Sequence, residues 1–333
     1  LIGEILKAAG KPTFVCGNIG RPFAEVVEDI PDNGIAVVEV STFQLERIET
    51  FAPHIALILN LSPDHLDRHG SFEAYKKLKY RIAENQTSED FLILNHHDRD
   101  SMTDSIDSAA RRLTFSVEDF GDATTIVRNG KLCLRKGDET VPVIDVADIR
   151  IPGPHNLQNA SAAAAATSLL EVPTDVMADT LRRFPGVEHR MERVDRVAGI
   201  DFINDSKATN VDSVTYALRS LDSPIWLIAG GKGKGGSYAP IAEYGRGRIK
   251  GLVLIGQARQ DIFDELGKAF PAEFAESLHD AVRIAFGKAK PGDALLLSPA
   301  CASFDMYESY EQRGRVFKKA VASLRTRETN ETA

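Results

Sequence analysis

Residues 62–85, SPDHLDRHGSFEAYKKLKYRIAEN, set an Asp-His pair just ahead of a helical pattern that carries three lysines within four positions. At 100° per residue, Lys79 falls within about 60° of Phe72, Tyr75, Ile82 and Ala83, whereas Lys77 points almost the opposite way. Lys79 is therefore expected on the apolar face. A lysine there can snorkel its ammonium to water. It can also be held where burial disfavours the charged form, and the neutral amine can then add carbon dioxide. The carbamate so formed is an anionic oxygen ligand suited to Mg²⁺. Two further residues fit such a site. Glu39 opens EVSTFQLERI at a strand end, where a buried carboxylate is costly unless paired or bound to metal. His65 offers a neutral imidazole. Glu39, His65 and Lys79 come from three successive β/α units and could meet at one edge of a sheet.

Two other stretches carry polar groups at strand ends. FINDSKATNVDS (202–213) places Asp205, Ser206, Lys207 and Thr209 between a strand and a helix with Asn210 as its expected N-cap. Loops at the carboxyl ends of strands are where α/β folds bind ligands, although an ordinary capped loop looks the same in sequence. IAGGKGKGGS (228–237) matches G-x-G-x-x-G through Gly231, Gly233 and Gly236. The next strand ends in LIGQAR, without the carboxylate that a dinucleotide site needs, and neither Gly-Lys pair is followed by Ser or Thr as in a Walker A loop. The loop is either a flexible glycine connection or one whose Lys234 reaches an anion.

The elements that would position these groups are legible as apolar runs. TFVCG, GIAVVEVS, IALILNLS and FLILNHH alternate with helical patterns, which predicts a parallel sheet covered on both faces. Between about 112 and 150 short polar-apolar strands take over, with Asn129-Gly130 marking a hairpin. NLQNASAAAAATSLL reads as a buried helix of small side chains. LIGEILKAAG reads as an amphipathic helix stopped by Gly10. FPGVEHRMERV, with Pro185-Gly186 as the boundary, leads to a second series: strands IDFIND, IWLIAGG, GLVLIG and ALLLSPA, with helices near 211–220, 259–269, 279–289 and 305–325. The expected fold class is α/β, two tandem Rossmann-like domains over 1–186 and 187–333, with a cleft between them for a ligand.

Composition narrows the class. The 333 residues carry a formal net charge of −8 with 43% hydrophobic residues, which fits a soluble globular protein and not a nucleic-acid-binding or membrane-surface one. Cys16, Cys133 and Cys301 lack metal or disulfide spacing and read as free thiols of a reducing compartment, the cytoplasm.

GNIGRPF, EVSTFQLE, NLSPDHLDRHGSFEAYKKLKYRI, GPHNLQNASAA, EHRMERV, FINDSKATN, GGKGKGG and SPACASFDMYESYEQRG resemble, in order, segments of the Mur ligases. NDSKATN with SPACASFD…YEQRG resembles the branch that joins D-glutamate to UDP-N-acetylmuramoyl-L-alanine, rather than the tripeptide ligases or folylpolyglutamate synthase. The resemblance implies a central ATPase domain plus a C-terminal domain, and ATP-dependent amide formation through an acyl phosphate in peptidoglycan precursor synthesis. It implies ATP and Mg²⁺ as cofactors, UDP-MurNAc-L-Ala and D-glutamate as small-molecule partners, and a cytoplasmic monomer. By position, Glu39, His65 and Lys79 resemble the metal ligands, Lys79 as a carbamate. Asn18, Ser41 and Gln44 resemble contacts to the muramoyl substrate, and Asn156, Asn159, Arg190 and Asp205 contacts to ATP. Lys207, Thr209, Lys234, Ser303, Phe304 and Tyr310 match the D-glutamate side, where a dicarboxylate needs cationic and hydroxyl partners. Phe304 and Tyr310 also read as packing at a helix start.

The family carries a uridine-nucleotide domain, a strand and a GTNGK(S/T) phosphate loop ahead of the helix that LIGEILKAAG resembles. The expectation is thus an N-terminally truncated ligase, inactive or nearly so. A non-catalytic binding module derived from the ligase and, on the glycine fingerprint, a nicotinamide-binding oxidoreductase are the competing readings.

Overall fold

The computed structural model of the chain describes residues 1–103, 105–151 and 153–331, without side-chain detail at 67 and 326–331. The chain folds as two compact units, Leu1–Pro185 and Gly186–Ala333.

The first unit begins with α1 (Ile2–Ala8), which ends where Gly10 turns to φ 73°. Two parallel strands, β1 (Thr13–Gly17) and β2 (Ile35–Glu39), flank the short helix α2 (Phe23–Val26). Helix α3 (Thr42–Leu45), strand β3 (Ile55–Ile58), helices α4 (Leu66–His69) and α5 (Phe72–Tyr80) and strand β4 (Phe91–Asn95) follow. Strands β5 (Arg111–Phe115), β6 (Thr125–Arg128), β7 (Lys131–Lys136) and β8 (Glu139–Asp145) complete the strands of this unit. The expected single parallel sheet is corrected here. Among the described residues β1 and β2 pair with each other, while β3-β4-β5-β6-β7-β8 form a separate sheet, parallel from β3 to β6 and antiparallel from β6 to β8. The apolar run that named β2 does not bury it as an interior strand would be buried, since Ala36 and Glu39 are exposed.

The β6–β7 connection is the expected hairpin, with both Asn129 (φ 51°) and Gly130 (φ 73°) in the left-handed region that a tight two-residue turn needs. Helix α6 (Pro154–Ser168) is the expected alanine-rich helix, and it packs on two sides. Ala160, Ala163 and Ala164 meet Ile5 and Leu6 of α1 together with Met177 and Leu181 of α7 (Thr174–Arg183). Ala162, Ala165 and Ala166 meet Ile93 and Phe115 of the sheet. Only a methyl-sized side chain lets one helix lie against both layers at once.

In the second unit the strands are β9 (Glu192–Val197), β10 (Ile200–Asn204), β11 (Ile225–Gly230), β12 (Ile249–Ile255), β13 (Ala272–Phe274) and β14 (Ala294–Leu297), in the order β13-β12-β11-β14-β10-β9. All pairs are parallel except β9 against β10. Helices α8 (Val211–Arg219), α9 (Ala239–Gly245) and α10 (Arg259–Leu266) cover one face, packing on Leu227, Ala229, Leu252 and Leu254. Helices α11 (Leu278–Lys288) and α12 (Tyr310–Glu331) cover the other, on Trp226, Ile228, Val253 and Leu295. Because β14 lies between β10 and β11, the loops leaving those three strands converge at a point where the winding changes direction, the position where such sheets bind ligands. Three elements differ from the sequence reading. Strand β9 occupies part of what read as a linker, α9 starts with Pro240 inside its first turn, and α12 begins at Tyr310 instead of 305, leaving 298–309 as a loop. No helix of the described residues is long and apolar enough to cross a membrane.

Gly230 ends β11 at φ 120°, where an added Cβ would lie 2.0 Å from the carbonyl oxygen of Ile255. Gly130→Ala meets open space and costs only the strain of a positive φ. Urea unfolding is expected to show Gly230→Ala losing about 3 kcal/mol or more and Gly130→Ala about 1 kcal/mol.

Candidate active site

In the first unit the candidate residues arise at the ends of β1 and β2 and on the helices that follow. Gly17 (φ 108°) brings β1 so close to β2 that a Cβ there would sit 2.4 Å from the Glu39 carbonyl oxygen. Asn18 follows it and bonds Glu39 twice, by its backbone N–H to the carbonyl (2.8 Å) and by Nδ2 to Oε1 (3.1 Å). Glu39 is exposed, which corrects the expectation of a buried strand-end carboxylate, and Asn18 holds one oxygen while the other has no protein donor among the described residues. Ser41 and Gln44 form a reciprocal capping box at the start of α3: the Ser41 N–H and hydroxyl both donate to Gln44 Oε1 (2.9 and 3.0 Å), and the Gln44 N–H donates to Ser41 Oγ. The same two polar groups that read as substrate contacts therefore also start a helix.

His65 is the N-cap of α4, in a left-handed conformation (φ 51°), with Nε2 3.7 Å from Asp64 Oδ2. Lys79 lies in the last turn of α5, partly buried, while Lys77 is exposed, as the 100° spacing predicts. Its Nζ stands 5.8 Å from the centre of the Tyr75 ring. Burial holds its ammonium below the ordinary lysine pKa, against the opposing pull of the Glu39 and Asp64 carboxylates. Glu39, Asp64 and Lys79 are thus within electrostatic reach of one another. Sequence reasoning missed Arg81, just beyond α5, whose guanidinium donates to the carbonyls of Leu45 (2.7 Å), Glu46 (2.9 Å) and Ile48 (2.9 Å) and ties the segment after α3 to α5.

Asn156 and Asn159 lie on the first turns of α6, with Asn159 Nδ2 3.4 Å from Asn156 Oδ1. Beside them is a cavity of about 220 Å³ lined by Val146, Ile149, Ile151, Gly153, Pro154 and Leu157.

In the second unit the loops converge as the strand order dictates. Asp205 is wholly buried: Oδ1 accepts the Met191 N–H (3.2 Å) and Oδ2 the Ser298 hydroxyl (2.8 Å). Burial raises its pKa to about 7, which the two hydrogen bonds and the Arg190 charge oppose. Through these two bonds Asp205 holds the Arg190–Met191 turn to the Ser298 segment; Arg190 itself is exposed. Lys207 Nζ stands 5.5 Å over the Tyr310 ring, so these two candidates come together. Thr209 lies partly buried in the same loop. Ser303 is buried and its carbonyl accepts the Met306 and Tyr307 N–H groups, whereas Phe304 is 70% exposed, which removes the packing reading for it. Lys234 is exposed in the glycine loop, and its neighbour Lys232 exchanges backbone hydrogen bonds with Ala302 (2.9 and 3.1 Å), joining that loop to the Ser303 segment.

Behind them is Arg313, 1% exposed, which sequence reasoning passed over although it lies in the quoted YEQRG. It donates to Ser206 Oγ (3.0 Å), the Ser206 carbonyl (2.8 Å), and the carbonyls of Cys301 (3.1 Å) and Ala302 (3.4 Å). Burial lowers its pKa to about 10. Among the described residues the cluster whose His, Cys, Asp or Glu ligand atoms come within 4.8 Å of one another is Glu188, His189 and Glu192, not the set around Glu39. Lys318 Nζ already stands 3.0 Å from Glu188 and 2.6 Å from Glu192, so that cluster has its cation.

A raised carboxyl pKa means that Asp205 favours folding fully below its unfolded value near 4 and loses that contribution as pH rises toward 7. Asp205→Asn removes the loss. Denaturation at pH 5 and pH 8 is expected to show the variant gaining about 2–3 kcal/mol on the wild type over that interval.

Two family profiles match this sequence: Mur ligase middle domain over residues 1–167 and Mur ligase, glutamate ligase domain over residues 189–301. The UDP-N-acetylmuramoylalanine–D-glutamate ligase of Thermoanaerobacter sp. (strain X514) is 42% identical over 329 residues, covering 98% of this chain and 72% of that protein. The enzyme of the same name from Salinibacter ruber is 39% identical over 97% of this chain and 73% of its own. Among solved structures, a pseudomurein peptide ligase type C from Methanothermus fervidus superposes with a TM-score of 0.71 at 17% identity, covering 97% of this chain and 75% of its own. MurF ligase from Thermotoga maritima in complex with ADP gives 0.70 at 14% identity, covering 97% and 77%. At these identities the structural likeness speaks to the fold.

Proposed function

This chain belongs to the Mur ligase family, and from that premise we propose that it joins D-glutamate to UDP-N-acetylmuramoyl-L-alanine at the expense of ATP. The observation that carries this reading is its likeness, along nearly its whole length, to ligases named for that reaction. The alanyl carboxylate is phosphorylated to an acyl phosphate. The amine of D-glutamate then adds to the acyl carbon, and the tetrahedral adduct expels phosphate to leave the amide. We read the protein as a cytoplasmic monomer.

The ligand-side roles follow from the chemistry of the side chains. Asn156 and Asn159, next to an open apolar hollow, suit an adenine ring, whose edge needs both donors and acceptors. Arg190 is aimed at phosphate charge by the buried Asp205 behind its turn. Asn18 orients the Glu39 carboxylate, and Ser41 and Gln44, joined in their capping box, offer polar side chains beside it to the muramoyl substrate. Lys207, Thr209, Lys234 and Ser303 supply the cations and hydroxyls that a dicarboxylate calls for, with Tyr310 and Phe304 beside them.

The residues present fit a divalent cation. Glu39 keeps a carboxylate oxygen without a protein donor among the described residues, His65 an imidazole, and burial lowers the pKa of Lys79 toward the neutral amine that carbon dioxide can convert to a carbamate. Mg²⁺ held there would offset charge on the phosphates.

The test is a ligation assay on the full product of the gene, with ATP, UDP-MurNAc-L-Ala and D-glutamate, in which an amide product that fails to form overturns the reading. Lys79→Ala is expected to lower kcat at least 100-fold, with partial recovery on adding short-chain carboxylates; the same loss without recovery would remove the carbamate role.

A further inference from the structure

His65 and Lys79 lie on different helices, and neither is held by a strong partner of its own. The His65 ring is 40% exposed with a carboxylate no nearer than 3.7 Å, and no carboxylate of the described residues comes within 4.0 Å of Lys79 Nζ. Between them runs an unbroken series of rings. Phe43, of α3, meets His65 edge-on at 5.3 Å and 72°. It also meets His69 at 5.5 Å. His69 meets Tyr75 of α5 at 5.8 Å, and the Tyr75 ring carries Lys79 Nζ.

His69 is the centre of this series and the one member sealed from water, with a side chain 1% exposed. Its Nε2 is 3.0 Å from the hydroxyl of Thr42, itself buried in the first turn of α3, and its Nδ1 is 3.6 Å from Glu46 at the other end of that helix. One imidazole thereby touches α3, which starts at Ser41 and Gln44, ends α4, which His65 caps, and packs on α5, which carries Lys79.

We infer that His69 is a positioning residue: its ring, through Phe43 on one side and Tyr75 on the other, fixes the imidazole of His65 relative to the amine of Lys79. The inference rests on the reading of His65 and Lys79 as metal ligands. Two ligands on separate helices must be held to within a few tenths of an ångström to bind one ion, and packed rings with few rotatable bonds do this with little residual motion.

The experiment uses the full product of the gene and Mn²⁺ as an EPR-visible stand-in for Mg²⁺, with three variants. His69→Phe keeps the ring and loses the Thr42 bond; His69→Gln keeps a polar terminus and loses the ring; His69→Ala loses both. The expected result is Mn²⁺ binding weakened tenfold or more in His69→Gln and His69→Ala and less than threefold in His69→Phe, with the KM for D-glutamate within twofold of wild type throughout. The ring resonances of His65 in the metal-free protein are expected to shift in the first two variants and stay in the third. Unchanged Mn²⁺ affinity and unchanged His65 resonances in His69→Gln would overturn the inference. If His65→Ala and Lys79→Ala also leave Mn²⁺ binding intact, the metal-ligand reading is the part that fails, and the His65 resonances alone then decide whether His69 positions that ring.

Discussion

The second unit depends on a guanidinium spent on main-chain carbonyls in place of a carboxylate. Arg313 is the extreme case: a buried cation whose hydrogen bonds go to the carbonyls of Ser206, Cys301 and Ala302 and to one hydroxyl. A planar fork of five donors can gather carbonyls from two loops at once, which an ammonium on a flexible stem cannot do as well. The convergence of the β10 and β14 loops is therefore fixed from behind by a buried group. Gly231 shows how tight this is, since an added Cβ there would lie 2.3 Å from the Ala302 carbonyl and 3.2 Å from Arg313 Nη1. In the first unit Arg81 ties the carbonyls of Leu45, Glu46 and Ile48 in a similar way, but it shares its guanidinium with the Glu84 carboxylate, 2.8 Å from two of its nitrogens. Arg313 also leaves a positive potential that none of its hydrogen-bond partners among the described residues, carbonyls and one hydroxyl, cancels, which favours a site for anions.

Much of this fold was legible because strand and helix periods are local properties. The apolar runs at 225–230, 251–255 and 294–297 became buried central strands, and the spacing separated the exposed Lys77 from Lys79, although Lys76, over the Phe72 ring, is partly buried as well. What was not legible depends on tertiary pairing. β9 is too charged to read as a strand, and only its register against β10 makes it one. The division into β1-β2 and a separate sheet is a question of which strand neighbours which, and an apolar run carries no such information.

At the candidate site, residue types were readable and the partners that occupy them were not. Glu39 was expected buried and is exposed, and the internal bonds of Asp205 to Met191 and Ser298 could not be read from its type. Ser41 and Gln44 sit three apart, the spacing of a capping box, so that signal was available in STFQ. His69 and Arg313 carried none, because a histidine at the end of a four-residue helix and an arginine in a polar run look like surface residues until the neighbouring elements close over them.

The charged character that hid β9 has a consequence for how the protein behaves in a crowded solution. An unpaired strand edge invites a strand from another molecule. On this sheet one edge is β9, with Arg193 and Arg196 exposed and leaning toward Asp201. The other is β13, three residues long, with Pro271 before it and Glu273 paired to Lys288. Neither edge offers a long, flat, neutral template, so the unit can keep a largely apolar sheet interior and still resist assembling edge to edge into fibres.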